Sequence, residues 1–345
     1  MITNVVRCKA MKLKAHLLLC LLPAIALTAV DCSKKPTQPP QALDPIFPPF
    51  EVTDETIIFV SNMDGSQWNL QPGWNLFLMN SDGSNVSPRT ADIVNAAPCW
   101  SPDRTEITYE RGGGTSANLY HIYKMKNDGS KVVCLTPSAQ YIECTSSWSP
   151  TEGIICFNRV DAISGGKQVY NLWLMDTSGA NQRQLTFLEQ GVGNQRYSPD
   201  GSKLIFDTSY LGANEFYYGA ICIINPDGTD MQYLTPHQPA DTNISCREPS
   251  WSPDGSKIAY SCWWQDTMAV WIMNSDGSDK IKLTKRIGDV KDYHPSWSPD
   301  GTRITFARKE RIDGQIVSDV WIINSDGTNQ RRITFNNKSH QPTWR

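Results

Sequence analysis

Two turn signatures that return at intervals of about fifty residues, and one repeat divided between the two ends of the chain, predict an all-β fold. The expected architecture is a six-bladed β-propeller of four-stranded antiparallel blades, closed by the C-terminal strand completing the first blade. The first signature is an aromatic residue followed by a Ser-Pro turn. It stands at Trp100-Ser101-Pro102-Asp103-Arg104, Trp148-Ser149-Pro150, Tyr197-Ser198-Pro199-Asp200-Gly201, Trp251-Ser252-Pro253-Asp254-Gly255 and Trp297-Ser298-Pro299-Asp300-Gly301. The second is an apolar run ending in Asn-Ser-Asp-Gly or a close variant, at Gly83, Gly129, Gly179, Gly228, Gly277 and Gly327.

Each element has a local reason. Pro fixes φ at the second turn position, Asp bonds its own backbone, and Gly accepts the left-handed conformation. Ser-Asp-Gly does the same work in the second hairpin. Between the turns, segments such as Lys257–Tyr260 and Ala269–Met273 alternate and read as strands. A short strand ending in Leu-Thr or Ile-Thr follows, as at Leu135-Thr136, Leu283-Thr284 and Ile333-Thr334. The first repeat opens at Thr56-Ile57-Ile58-Phe59 without its Trp strand, and the chain ends in His340-Gln341-Pro342-Thr343-Trp344-Arg345. The halves complement each other.

The repeated WSPDGxxIxF and WIMNSDG patterns resemble those of the TolB-like family of propellers across residues 55–345. That resemblance implies the propeller fold and leaves the function open. TolB itself carries an additional N-terminal domain, where a Pro-rich tether stands here. The related propellers of tricorn and prolyl-oligopeptidase-like peptidases precede a hydrolase domain, and none is expected here after Arg345.

The N-terminus predicts export. From Met11, which makes a better start than Met1, two lysines precede an apolar run from Leu17 to Val30 that is short for a membrane span. Residues 1–32 are expected to be a signal peptide, 33–54 a Pro-rich tether, and 55–345 the propeller. Cys32 resembles the lipid-acceptor cysteine of bacterial lipoproteins, although Asp31 replaces the small residue usual before it. Ser33 resembles the outer-membrane sorting pattern. The expected location is the bacterial periplasm, with lipid anchoring to the outer membrane.

Composition excludes some classes. With Lys+Arg 32 against Asp+Glu 35, the net charge of −3 offers no basic excess for a phosphate backbone, so no nucleic-acid partner is expected. No G-x-S-x-G, H-E-x-x-H or P-loop occurs. The Asp-Gly pairs belong to hairpin turns rather than calcium loops, and no metal ligands or catalytic residues are assigned. The recurring tryptophans, including Trp173, Trp271 and Trp321, are expected to pack within and between blades. Of the cysteines, Cys246 and Cys262 can be placed by register. If Ser252 faces Ser256, counting outward without a further bulge sets the two opposite each other as a cross-strand disulfide.

Two candidate sites follow from strand order. The tight Asp-Gly turns fall on one face, and the second-to-third-strand loops fall on the other. Those loops hold Trp68, Trp74, Tyr210, Phe216, Tyr217, Tyr218, Trp263 and Trp264, an aromatic rim suited to an interface. Three positions before each signature aromatic stand Ala97, Thr145, Asn194, Glu248, His294 and Gln341, which should ring the central channel. Of these, Asn194, Glu248, His294 and Gln341 could bind a polar ligand or a divalent metal. His294 and Gln341 also match the manganese-binding residue types of oligogalacturonate lyases. Glu248 beside His294 is expected to raise the imidazole pKa.

The function expected is a non-enzymatic, monomeric, cell-envelope propeller without cofactor, binding a protein or glycan through its loop face. The alternative is a metal-dependent polysaccharide lyase or hydrolase with its site in the channel.

Overall fold

The Ser-Pro turns fold as closed hydrogen-bonded units. In the fourth such unit the Ser252 amide donates to the Lys257 carbonyl at 2.9 Å, and the Lys257 amide returns to Ser252 Oγ at 2.9 Å. Ser252 Oγ also donates to Asp254 Oδ1 at 2.6 Å, and Gly255 takes φ of 71°. Ser198 and Ser298 repeat the pattern.

The computed structural model describes residues 47–63, 73–91, 94–112, 119–138, 140–160, 169–211, 217–236, 244–264, 267–285 and 289–344. Cys32, Trp68 and Phe216 lie outside these residues, as do the side chains of Tyr210 and Tyr217.

All the regular structure among the described residues is β. The first repeat supplies β1 (Thr56–Ser61), β2 (Asn75–Asn80) and β3 (Ser87–Pro88). The second gives β4 (Asn95–Trp100), β5 (Glu106–Gly112), β6 (Tyr120–Lys126) and β7 (Val133–Cys134). Then come β8 (Ile142–Trp148), β9 (Ile154–Val160), β10 (Tyr170–Asp176) and β11 (Arg183–Gln184). The fourth gives β12 (Gly191–Tyr197), β13 (Leu204–Leu211), β14 (Tyr217–Ile224) and β15 (Gln232–Tyr233). The fifth gives β16 (Ser245–Trp251), β17 (Lys257–Trp264), β18 (Thr267–Asn274) and β19 (Ile281–Lys282). The chain closes with β20 (Lys291–Trp297), β21 (Arg303–Ile312), β22 (Gln315–Asn324), β23 (Arg331–Arg332) and β24 (Ser339–Trp344).

The expectation of six separate four-stranded blades is corrected by the sheet pairing. Four sheets have four strands each, and the remaining sheet, running from β16 to β23, has eight. The cause is local. The β17–β18 hairpin is long, and at its end Met268 forms a parallel pair with Lys291 of β20, so the fifth and sixth repeats hydrogen-bond into one sheet. The propeller therefore consists of four four-stranded blades and one double-width sheet. The C-terminal β24 pairs antiparallel with β1 in the first sheet.

The recurring aromatics sit between successive repeats. Trp100 packs in a buried cluster with Ile58 and Leu76 of the repeat before it, and Trp344 packs with Val320 and Ile322 of β22. The Asp-Gly turns dock on the outer strand of the preceding repeat. A Cβ at Gly179 would collide with the Leu135 carbonyl, and one at Gly83 with the Ile333 carbonyl, so both turns require glycine at their positive φ. A strap near the start of the described chain adds ties across the closure. Trp344 Nε1 donates to the Asp54 carbonyl at 2.9 Å, Arg303 pairs with Glu55 at 2.6 Å, and Arg104 pairs with Asp54.

One cross-strand slot is filled by different chemistry in different repeats. Glu143 faces Arg159, and Asp292 faces Arg308, each as a buried ion pair. Each guanidinium lies 4.6 Å over the ring of Trp173 or Trp321. In the fifth repeat the same slot holds Cys246 and Cys262, with Cα atoms 4.1 Å apart and joined by a disulfide. There Trp271 is covered by Trp264, with centroids 5.2 Å apart.

Candidate functional site

The six ring positions line a single narrow cavity of about 40 Å³ on the axis. All six residues have positive φ, from 34° at Thr145 to 58° at Glu248. A register shift marks each inner strand at this point, for example between Arg247 and Ser250 and between Tyr293 and Ser296. The ring is a ring of β-bulges. In four repeats a proline follows the bulged residue, as in Glu248-Pro249 and His294-Pro295, and proline in a strand is confined to edges and bulges.

This bulge also revises the register reasoning for the cysteines. Ser252 pairs with Lys257 through the turn, one residue beyond Ser256, and the bulge at Glu248–Pro249 restores the count. The two departures cancel, and Cys246 stands opposite Cys262.

A bulge takes an amide out of the strand ladder, and a buried amide needs an acceptor. Neighbouring repeats supply it. The Ala97 amide donates to Gln341 Oε1 at 3.0 Å and the Thr145 amide to Glu110 Oε1 at 2.7 Å. The Glu248 amide donates to Asp207 Oδ2 at 2.7 Å, and the His294 amide to Glu248 Oε2 at 2.8 Å. Asp207 also accepts from Asn194 Nδ2 at 2.7 Å, and Glu248 from Ser261 Oγ at 2.8 Å. Glu248 and Gln341 thus hold repeat to repeat, and Asn194 bonds within its own repeat to Asp207, the acceptor of the Glu248 amide. Replacing Glu248 with Ala would strand the His294 amide, so such a change is structural as well as local.

The electrostatics differ from the expectation at His294. Its Nδ1 lies 3.5 Å from Glu248 Oε1, which pulls the imidazole pKa up, but burial outweighs this and the net shift is downward. His340, pressed edge-on to Trp74 at 4.6 Å, is driven down to about 3 by burial, with His294 and Lys309 adding to the effect. Both rings are neutral at ordinary pH. Asp207 is pushed up to about 7 by burial, against the hydrogen bond from the Glu248 amide and the charge of Arg247. Among the described residues, no three His, Cys, Asp or Glu side chains gather to hold a metal.

The narrow ring separates two wider mouths. On the Ser-Pro turn side, the cavity of about 320 Å³ is walled by Trp100, Trp148, Tyr197, Trp251, Trp297 and Trp344. On the loop side, a cavity of about 480 Å³ is walled by Trp74, Tyr120, Tyr293 and Ile316, with Lys309, Lys338, His294, His340, Glu110 and Glu248 among its polar residues. Strand order did not single out Lys309, His340 or Tyr293. Their proximity depends on the bulges and on the long β21–β22 hairpin.

The aromatic rim is only partly a surface. Trp264 is 43% exposed, Trp74 and Trp263 are half-buried, and Tyr218 is buried at 8%. Lys291 lies over the Trp263 ring at 5.3 Å. Ile312 and Ile316, at the tip of the β21–β22 hairpin, add exposed apolar surface at 42% and 62%. Pattern reading passed over them because both sit where a hairpin outgrows its repeat.

An uncharacterised protein of Agrobacterium fabrum is 24% identical over 188 residues, 54% of this chain and 60% of that protein. TolB from Acinetobacter baumannii superposes with a TM-score of 0.64 at 19% identity, covering 84% of this chain and 66% of that one. An oligogalacturonate lyase in complex with manganese superposes with a TM-score of 0.55 at 15% identity, covering 81% of this chain and 73% of that one. At these identities the likeness is one of fold. Residues 164–345, more than half of the sequence, match the TolB beta propeller domain, and the chain belongs to that family.

Proposed function

We propose that the protein is a monomeric, non-enzymatic binding propeller of the cell envelope, engaging a protein or glycan through its loop face. The observation that carries this reading is the asymmetry of the two faces. The loop side combines the wider of the two mouths, a cavity of about 480 Å³, with exposed apolar side chains at Trp264, Ile312 and Ile316. Exposed aromatic and apolar groups around a concavity are the usual composition of a binding surface. The lysine-led apolar N-terminus and the TolB-domain membership support a periplasmic location, and Cys32 supports lipid anchoring to the outer membrane.

The test is affinity isolation from envelope membranes with the full chain and with a Trp264→Ser/Ile316→Ser variant. A component retained by the parent and lost by the variant, with an unchanged melting temperature, is the expected result. Identical retention by both would overturn the reading. The second reading, metal-dependent cleavage of a polysaccharide, has one observation in its favour, the His294–Glu248 contact at the axis. Manganese-dependent cleavage of an acidic polysaccharide that His294→Ala abolishes would establish it instead.

A further inference from the structure

The ring residues named above are largely committed to one another, whereas one cation in the loop-side cavity is not. Lys309, half-buried on β21, has its ammonium 5.7 Å from the centre of the Tyr293 ring. Among the described residues it makes no ion pair, and the same holds for Lys291 and Lys338 near the same mouth. Burial lowers the Lys309 pKa, the charge of Lys291 lowers it further, and Glu248 opposes them. A half-buried ammonium in a mostly apolar cavity is short of a counter-charge.

We propose that the loop-side cavity is a binding site for a single carboxylate carried on an apolar group, as at the C-terminus of a peptide ending in an apolar residue. The carboxylate would pair with Lys309, and the apolar group would lie along Trp74, Tyr293 and Ile316. The volume of about 480 Å³ suits two or three residues of chain. Charge selects the class of anion. Glu110 and Glu248 share the cavity wall with Lys309 and Lys338, so the two lysines are already balanced by two carboxylates, and a doubly charged phosphate would leave the site with an excess of two negative charges. A monoanion gains the Lys309 contact with less repulsion, and the aromatic walls favour an apolar companion over a sugar ring rich in hydroxyls.

This proposal rests on the loop-face reading but fails separately from it. A partner that binds the loop face while the small probe does not would leave the broader reading intact and remove this one. The experiment is calorimetric titration of the full chain with an N-acetylated dipeptide ending in phenylalanine, as the free acid and as the amide. The acid should bind at least about tenfold more tightly than the amide, the discrimination typical of a charge-assisted contact. Lys309→Gln should erase that preference, and Lys309→Arg should keep part of it. Equal binding of acid and amide to the parent, or no binding of either, overturns the proposal without recourse to any variant. Inorganic phosphate that competes with the acid at equal concentration also overturns it, because the site would then be a general anion site.

Discussion

The Ser-Pro turn face and the loop face are capped ends of the same strands, yet their contacts have opposite characters. On the turn face, Ser198, Ser252 and Ser298 each repeat the same hydrogen bonds to an Asp and to an amide across the turn. The Asp carboxyls are held low by those bonds, with Asp200 at about 2. On the loop face the hairpins differ in length, apolar side chains stand exposed at Ile312 and Ile316, and Lys309 lacks an ionic partner among the described residues. The difference teaches where each property resides: the turn face and blade interior hold the fold, and the loop face is free to carry binding.

The comparison breaks if interior contacts prove dispensable. Arg308 is fully buried and forms two hydrogen bonds to Asp292, at 2.6 and 2.8 Å. Arg308→Ala leaves a buried carboxylate without its partner, and urea unfolding should show a loss of about 3–5 kcal/mol. The disulfide in the equivalent slot should matter somewhat less. Replacing Cys246 and Cys262 with Ala opens a link across a sequence separation of 16 and should cost about 3 kcal/mol. A loss below about 1 kcal/mol for either pair would show that the slot does not hold the blade.

Asp207 sharpens the comparison at the axis. Its carboxyl titrates at about 7 when folded, against about 3.9 in an unfolded chain. Between those values the folded state keeps a proton that the unfolded state has lost. Stability should therefore fall as pH rises from about 4 to 7, by up to about 1.4 kcal/mol per pH unit from this group. The turn-face carboxyls such as Asp200, ionised in the fold from about pH 2 upward, add a slope of opposite sign only below about pH 5, where the unfolded chain still takes up protons. Unfolding of Asp207→Asn across the same range should lack this component. An unchanged slope would mean that Asp207 is ionised throughout.

The smallest effects separate the faces themselves. Ser298→Ala removes an acceptor for the Arg303 amide and should cost about 1 kcal/mol. Ile316→Ser, at an exposed hairpin tip, should stay within about 0.5 kcal/mol of the parent.

Much of this fold was legible because turn chemistry is local. Ser-Pro-Asp-Gly specifies its own hydrogen bonds, and its recurrence set the strand order and the ring positions, including Glu248 and His294. The sheet boundaries were not legible, since a single pair, Met268 with Lys291, joins two repeats into one sheet. The bulges were hidden as well, although the proline after Glu248, His294 and Gln341 was a readable sign of them. Without the bulges, sequence could not show that Glu248 accepts the His294 amide, or that burial overrides the carboxylate in setting the His294 pKa. Lys309 was out of reach for the same reason. Two basic residues stand side by side in β21, and only the folded register sends Arg308 into the blade and Lys309 to the cavity.

The claim that binding belongs to the loop face is tested most directly by photo-crosslinking from both faces in envelope membranes. A photoreactive residue at Ile316 reports on the loop face, and one at the exposed Thr302 reports on the turn face. The account predicts a discrete adduct from position 316, absent when the residue is at 302. Adducts from 302 alone, or of equal yield from both positions, would contradict it.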